Sequence, residues 1–237
     1  MNSHRKTAII VGILFITATV TSSLYYVIVT PILDAPDYLA KVSENANQVI
    51  IGVLLYLIDC AAVVAIPIAL YPIFKKYNET LALGYVASRM IESVTIIVGH
   101  ISLLSLLTLS QEYVQAGAPD ATNFQALGAL LLAVIDRALL LGVEFVFSLT
   151  ALILNYLLFR SKLVPRFISV WGLIGATLLL ASGFFVMFGL SPSPTSAISM
   201  FLSLPISVQE MVFAVWLIGK GFNPSAIASV SAKTAIN

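Results

Sequence analysis

Six long apolar stretches limit what this chain can fold into. They cover about residues 8–30, 49–71, 81–109, 124–159, 167–190 and 198–218. Each is long enough to cross the hydrocarbon core of a bilayer as an α-helix, which takes about 20 residues. Helices satisfy their own backbone polar groups, so they are the form that such segments adopt in lipid. We therefore predict an all-α integral membrane bundle of six transmembrane helices, forming a single domain over residues 1–237.

The composition excludes several other classes of protein. Only 10% of the residues are charged, against about 25% in a soluble domain, so we expect the surface to contact the lipid bilayer. A net charge of +1 leaves no basic stripe for nucleic acid. The single cysteine excludes a disulfide framework. The two histidines are too few for a usual zinc site, and we expect no metal and no other cofactor.

The cationic residues predict the orientation in the membrane. One set of termini and loops contains Arg5, Lys6, Lys75, Lys76, Arg160, Lys162, Arg166, Lys220 and Lys233. The opposite loops contain only Lys41, beside the acidic residues Asp34, Asp37, Glu44, Glu112 and Asp120. By the positive-inside rule, the first set is cytoplasmic, and so are both termini. The first stretch is longer than a signal peptide and has no A-x-A site after Val20, so we predict that it is retained.

The fourth stretch is too long for a simple span. Residues 124–159 contain neither proline nor a turn cluster, and as a helix they would be about 54 Å long, against about 30 Å of hydrocarbon. Counting outward from Phe159 places Asp136 and Arg137 at the headgroups. Residues 124–135 would then project outside or lie along the membrane, and a re-entrant segment is the alternative.

Ionisable residues occur within the apolar stretches, where they are costly and usually face a bundle interior or a water-filled cavity. Four of them lie about eight to eleven residues from an interface, near the midplane. They are Asp59, Arg89, Glu92 and Glu210. Glu144 lies in the outer half of its span and His100 near an outer end. We predict that these six residues form a ligand-binding site.

Helical spacing places several of these residues on common faces. Arg89 and Glu92 are neighbours on one face and can pair, and His100 continues that face toward the outer side. On the fourth span, Arg137, Glu144 and Asn155 are separated by seven and eleven residues, which also aligns them on an α-helix. The sequence therefore predicts two polar stripes that face the interior.

Carboxylates outnumber cations near the midplane, where Arg89 faces Asp59, Glu92 and Glu210. Arg89 can neutralise one of them, and we expect this to be Glu92. The other two must be protonated, hydrated, or matched by a bound cation or amine. In the alternative interpretation, Arg89 and Glu92 form a structural pair, and protonated Asp59 and Glu210 hydrogen-bond across helices.

Three functions are compatible with this pattern. The first is a small binder or carrier with a midplane cavity for a cation, amine or proton. The second is a lipid-modifying membrane enzyme that uses Glu92, Glu144 or Glu210 as acid or base. The third is a non-catalytic structural or accessory subunit. The chain has no HExxH, GxSxG or P-loop pattern and indicates no nucleophile, so catalysis is the less favoured expectation. A homo-oligomer is compatible with all three.

Two stretches together carry a family resemblance. Residues 71–83 read YPIFKKYNETLAL and lead into ASRMIESV at 87–94, and residues 156–172 read YLLFRSKLVPRFISVWG. In these stretches the chain resembles a prokaryotic multipass membrane family catalogued as domain of unknown function 4386. The resemblance extends over most of the chain. It implies a six-helix fold in a bacterial or archaeal cell membrane, and it implies no activity.

Overall fold

The computed structural model describes residues 3–117 and 121–228. Helices α1 to α4 span Ser3–Leu33, Tyr38–Glu44, Ala46–Phe74 and Glu79–Ala116. Helix α5 covers Ala121–Leu139 and continues through a π-helical segment, Leu140–Phe147, directly into α6 at Ser148–Ser161. Helices α7 and α8 span Arg166–Met187 and Ala197–Gly219. Asp120 and Lys233, which contributed to the predicted orientation, lie outside the described residues.

Within the described ranges, six helical units are long and apolar enough to cross a membrane: α1, α3, α4, the continuous α5–π–α6 helix, α7 and α8. The predicted all-α bundle with six spans is therefore confirmed, and the chain is a multipass membrane protein. The orientation of its termini stays a prediction. Helix α7 ends at Met187, three residues before the predicted boundary, because Gly189 adopts a φ of 75° and turns the chain.

Helix α2 was not predicted from the sequence. It lies in the connection between α1 and α3, and it buries Leu39 and Val42, which are three positions apart on one face. Its Lys41 and Glu44 side chains form an exposed ion pair of 2.8 Å. This helix is too short to cross a membrane, and it packs against α4.

The six spans form a closed ring in the order of the sequence. Helix α1 packs against α3, α3 against α4, and α4 against the α5–π–α6 helix. Helix α6 then packs against α7, α7 against α8, and α8 returns to α1. Because neighbours in sequence are also neighbours in space, the inward faces of all six spans meet around a common centre.

Arg5 joins the two ends of this ring. Its guanidinium donates hydrogen bonds to the carbonyl oxygens of Leu217 at 3.0 Å, Ile218 at 2.6 Å and Gly219 at 3.1 Å. These carbonyls belong to the last turn of α8, where carbonyl groups have no later N–H group of the same helix to bond. We call this end of the ring, where α1 begins and α8 ends, the terminal end. The opposite end, which carries α2 and residues 188–196, is the far end.

Apolar side chains close the ring at the terminal end. The largest of them are fully buried and come from four spans: Phe15, Leu70, Phe74, Tyr85 and Phe213. The rings of Phe15 on α1 and Phe213 on α8 meet edge to face, with centroids 5.4 Å apart. We call this cluster the terminal core. Apolar side chains from α1, α3, α4 and α8 therefore meet at the centre of the ring at this end.

A second cluster, the far-end core, is formed by α1 to α5. Its buried members include Val29, Leu39, Val53, Leu103 and Leu139. Among the described residues, none from α7 or α8 belongs to it. The far half of α8 therefore does not share an apolar core with α1, whereas its terminal half does.

The long fourth span runs back along α4 as a helix. Ser102 Oγ donates to the carbonyl oxygen of Leu131 at 3.2 Å, and the rings of Tyr113 and Phe124 have centroids 5.7 Å apart. Residues 124–135 thus belong to a helical hairpin with α4, and they do not form a re-entrant segment. The excess length of the fourth span is matched by α4, which has 38 residues.

Candidate functional site

A central cavity of about 600 Å³ lies inside the ring, and all six spans contribute to its lining. Lining residues include Tyr26 of α1, Asp59 of α3, Arg89 and Glu92 of α4, Glu144 of the π segment, Leu179 of α7 and Glu210 of α8. Five of the six predicted site residues therefore face one space, and His100 does not. Their role in binding a ligand stays a prediction.

Arg89 connects two of the spans through its guanidinium. Nη1 donates to both carboxylate oxygens of Glu92, at 3.0 and 3.2 Å, and Nη2 donates to Oε1 of Glu210 at 3.4 Å. Only 2% of Arg89 is exposed. The guanidinium carbon also lies 4.8 Å from the ring centre of Phe147, which adds a cation–π contact. The fork of donors that arginine presents suits such a double contact.

The Arg89–Glu92 pair that helical spacing predicts is confirmed. The structure adds Glu210 to it, so Arg89 contacts two carboxylates, where one was expected. Asp59 is the midplane carboxylate that remains: it is 6% exposed and forms no hydrogen bond with any part of the chain that the structure describes. At the midplane, the acid that Arg89 does not engage therefore lies on α3.

Glu144 reaches the cavity from the π-helical segment. Such segments are rare and frequently occur at functional sites. Its Oε2 atom is buried and lacks a hydrogen-bond partner among the described residues, with Ser182 of α7 as its polar neighbour. Gly183 allows α7 to approach closely, because a Cβ there would lie 3.0 Å from the Cβ of Glu144. A carboxylate oxygen in this position lacks the hydrogen-bond donors that normally compensate the free-energy cost of burial.

The predicted alignment of Arg137 with Glu144 and Asn155 is wrong. Arg137 is exposed, whereas 3% of Glu144 and 1% of Asn155 are accessible. A π-turn holds one residue more than an α-turn, which shifts the helix face by roughly 100°. Because the π segment begins at Leu140, it separates Arg137 from the inward face that the later residues share.

His100 lies behind the wall of the cavity. Its ring packs against Tyr25 and Tyr56, with centroids 5.2 and 4.3 Å away. Its Nδ1 is 2.9 Å from the carbonyl oxygen of Ile96, and its Nε2 is buried with no hydrogen-bond partner in the described part of the chain. The predicted face of α4 does continue to His100, but at that depth aromatic rings from α1 and α3 separate it from the cavity.

Sequence reasoning missed Gln209, which is 1% exposed. Its Nε2 donates to Asn155 Oδ1 at 3.2 Å and to the carbonyl oxygen of Ile168 at 3.2 Å, so it joins α8 to α6 and α7. A Cβ at Gly172 would collide with the Asn155 carboxamide, so only glycine leaves room for this network. A glutamine next to Glu210 within an apolar span was the available signal.

The balance of charge defines what this cavity can bind. Four carboxylic acids face it, on Asp59, Glu92, Glu144 and Glu210, against the single guanidinium of Arg89. If all were ionised, the net formal charge would be −3, from +1 and −4. No set of three or more His, Cys, Asp or Glu side chains in residues 3–117 and 121–228 is arranged to hold a metal ion. The arrangement is suited to protons, monovalent cations or amines.

Comparison with known proteins places the chain in a family. No curated protein and no solved structure matched it. The family model described as "Domain of unknown function (DUF4386)" matches residues 10–221, which contain the cavity residues of every span. This match confirms the resemblance carried by residues 71–94 and 156–172. The chain therefore belongs to the DUF4386 family of unknown function.

Proposed function

We propose that this protein is a small binder or carrier whose central cavity takes up a cation, an amine or a proton. The observation that carries the proposal is the presence of four carboxylic acids and one guanidinium in one membrane-embedded cavity. An ionised carboxylate in such a place must be compensated, or it takes up a proton. A bound cation supplies that compensation, and so does protonation from the aqueous side.

Within this proposal the carboxylates have different roles. Glu92 and Glu210 are engaged by Arg89 at 3.0 and 3.4 Å, and the second of these pairs joins α4 to α8. Glu144 has a buried carboxylate oxygen with no hydrogen-bond partner among the described residues, and Asp59 lines the same cavity from α3. We assign ligand binding to Asp59 and Glu144.

The access route supports a carrier more than a sealed structural core. The terminal core blocks the ring at one end, whereas the cavity lining continues toward the far end through Thr30, Pro194 and Thr195. With both termini in the cytoplasm, as the cationic loops predict, the cavity would face the outer side. We place the protein in the cytoplasmic membrane of a prokaryote, in line with the resemblance described above.

Isosteric substitutions test this function. Asp59→Asn and Glu144→Gln preserve shape and hydrogen bonding but remove the ionisable group. Melting of the wild type and both variants would be measured from about pH 5 to about pH 9, with and without alkylamines and monovalent cations. Because binding to the folded state stabilises it by mass action, the wild type should show ligand-dependent shifts in melting temperature that both variants lose.

Glu112→Gln provides the control, since Glu112 is exposed near the far end and does not line the cavity. It should retain every response of the wild type. Superimposable curves for the wild type, Asp59→Asn and Glu144→Gln under all conditions would contradict the carrier and leave a structural role for these acids.

A further inference from the structure

The shape of the central cavity indicates the class of ligand. We propose that the cavity binds a cationic amphiphile, with its amine headgroup at the carboxylates and its alkyl chain in a side opening between α1 and α8. This inference rests on the proposed function and specifies its ligand. Three observations support it: the position of the contacts between α1 and α8, the side chains along the opening, and the length of the cavity.

Helices α1 and α8 pack closely in their terminal halves. A Cβ at Gly12 would lie 2.6 Å from Ile218 and 2.8 Å from the carbonyl oxygen of Ala214, and Phe15 meets Phe213 one turn further on. Toward the far end, both helices line the cavity instead, through Ser22, Tyr26, Thr30, Met200, Ser203 and Ser207. The cavity therefore lies between the two helices over their far halves.

Side chains along this stretch face the cavity and the outside of the bundle at the same time. Val27 is 73% exposed, Met200 63% and Leu204 55%, and all three belong to the cavity lining. Within a membrane span, the outside of the bundle is lipid. The cavity is thus open sideways toward the acyl chains of the far leaflet, and an alkyl chain can occupy the opening without contacting water.

Three serines of the opening have hydroxyl groups that are bonded within their own helices. Ser22 Oγ donates to the carbonyl oxygen of Ala18 at 2.8 Å, Ser203 Oγ to that of Met200 at 2.9 Å, and Ser207 Oγ to that of Ser203 at 3.1 Å. Each hydroxyl is therefore satisfied within its own helix. What remains toward the opening is a largely apolar surface that leads to the carboxylates of the central cavity.

The dimensions of the cavity exceed those of a small ion. From Glu210 to Met200 the lining follows α8 for ten residues, about 15 Å at the helical rise. A volume of about 600 Å³ lies in the range of ligand pockets, roughly 300–1,000 Å³. A single cation at Asp59 would leave most of this length unfilled, whereas a single-chain amine would fill both the charged end and the opening.

Three probes distinguish the contribution of the amine headgroup to binding from that of the alkyl chain. The protein, in nanodiscs of a neutral phospholipid, would be melted with dodecylamine, butylamine or dodecanol. Dodecylamine at about 100 times its Kd should raise Tm by roughly 5 °C or more. Butylamine and dodecanol at the same concentration should give less than half of that shift, because each supplies only one part of the contact.

A matched pair of variants tests the opening itself. Ser203→Phe places a ring in the opening, and Ser105→Phe places the same ring on the outer surface of α4, where Ser105 has an equivalent hydrogen bond to the carbonyl oxygen of Ile101. Ser203→Phe should weaken dodecylamine binding at least tenfold and keep the butylamine response, whereas Ser105→Phe should change neither. If Ser203→Phe does not fold, the three-probe comparison on the wild type decides.

The remaining outcomes overturn one proposal or both. Equal responses to butylamine and dodecylamine, both lost in Asp59→Asn, would overturn the amphiphile and retain the cation site. Equal responses to dodecanol and dodecylamine would mean that the tail alone binds, which also overturns it. No response to any amine, with Asp59→Asn melting like the wild type at every pH, would overturn the proposed function itself.

Discussion

Arg89 on α4 and Glu210 on α8 are 121 positions apart in the sequence, and a hydrogen bond of 3.4 Å joins their side chains. The same guanidinium also holds Glu92, one turn away on α4. A single cation therefore fixes two inward faces on opposite sides of the ring. Because both partners are acidic, Glu92 buried on α4 and Glu210 half-buried on α8, removal of the cation would affect both helices.

The first prediction concerns this cation. Arg89→Ala leaves the buried Glu92 and the half-buried Glu210 without a neutralising partner, and breaking a buried ion pair typically costs about 3–5 kcal/mol. We expect a large loss of thermal stability in detergent. Lys76→Ala, which removes an exposed lysine at the terminal end, should change stability little. Equal, small shifts in both variants would mean that water solvates Arg89 in the cavity.

A second prediction uses two glycines in the spans. A Cβ at Gly175 would lie 2.8 Å from the backbone nitrogen of Ile206 on α8, whereas nothing lies within 4 Å of one at Gly84. Gly175→Ala should therefore force α7 and α8 apart and destabilise the protein by about 1–3 kcal/mol. Gly84→Ala should be neutral or stabilise by up to about 1 kcal/mol, through helix propensity. Melting temperatures of the two variants check this, and the reverse order would contradict the packing of α7 on α8.

A third prediction tests the hairpin of α4 and α5. A Cβ at Gly99 would lie 2.9 Å from the Cβ of Ala138, so paired cysteines at these positions are within reach of a disulfide. In a Cys60→Ala background, we expect Gly99→Cys with Ala138→Cys to cross-link under mild oxidation. Gly99→Cys with Leu130→Cys should not, since Leu130 is 60% exposed and lies two turns away. The opposite pattern on a gel would mean that the fourth span does not follow α4.

The fourth prediction concerns topology. In the same Cys60→Ala background, Asp37→Cys should react with a membrane-impermeant maleimide added outside the cell. Lys76→Cys and Lys162→Cys should react only after the membrane is opened, because the cationic loops favour the cytoplasm. All three positions are exposed in the structure. Labelling of Lys76→Cys in intact cells would reverse the orientation and place the cavity opening in the inner leaflet.

The fold was predictable because each span is specified locally. Uninterrupted apolar length predicts a helix in lipid whatever the rest of the chain does, and the pairing of Arg89 with Glu92 follows from the pitch of one helix. The closed ring was not predictable in this way, since it depends on contacts such as that of Phe15 with Phe213, which no local pattern specifies.

The candidate site was predictable only in part, for the same reason. Asp59, Glu144 and Glu210 could be identified because they are ionisable residues within apolar spans, which requires no knowledge of their spatial neighbours. The position of Arg137 was mispredicted because seven residues bring a side chain back to the same face only in an uninterrupted α-helix. His100 was misplaced because the depth at which α1 and α3 pack their tyrosines is a tertiary property.

The contact of Arg5 with the end of α8 has a consequence for how the protein is made. Helix α1 leaves the ribosome before α8 and must wait for it, because the guanidinium of Arg5 binds carbonyl oxygens more than 200 positions later. Until α8 is inserted, the nascent chain is an open arc, and Glu92 is the only described acid that directly pairs with Arg89. A chain truncated before Ala197 would expose the inward faces of the other spans to lipid. Membrane quality-control proteases should remove such a chain.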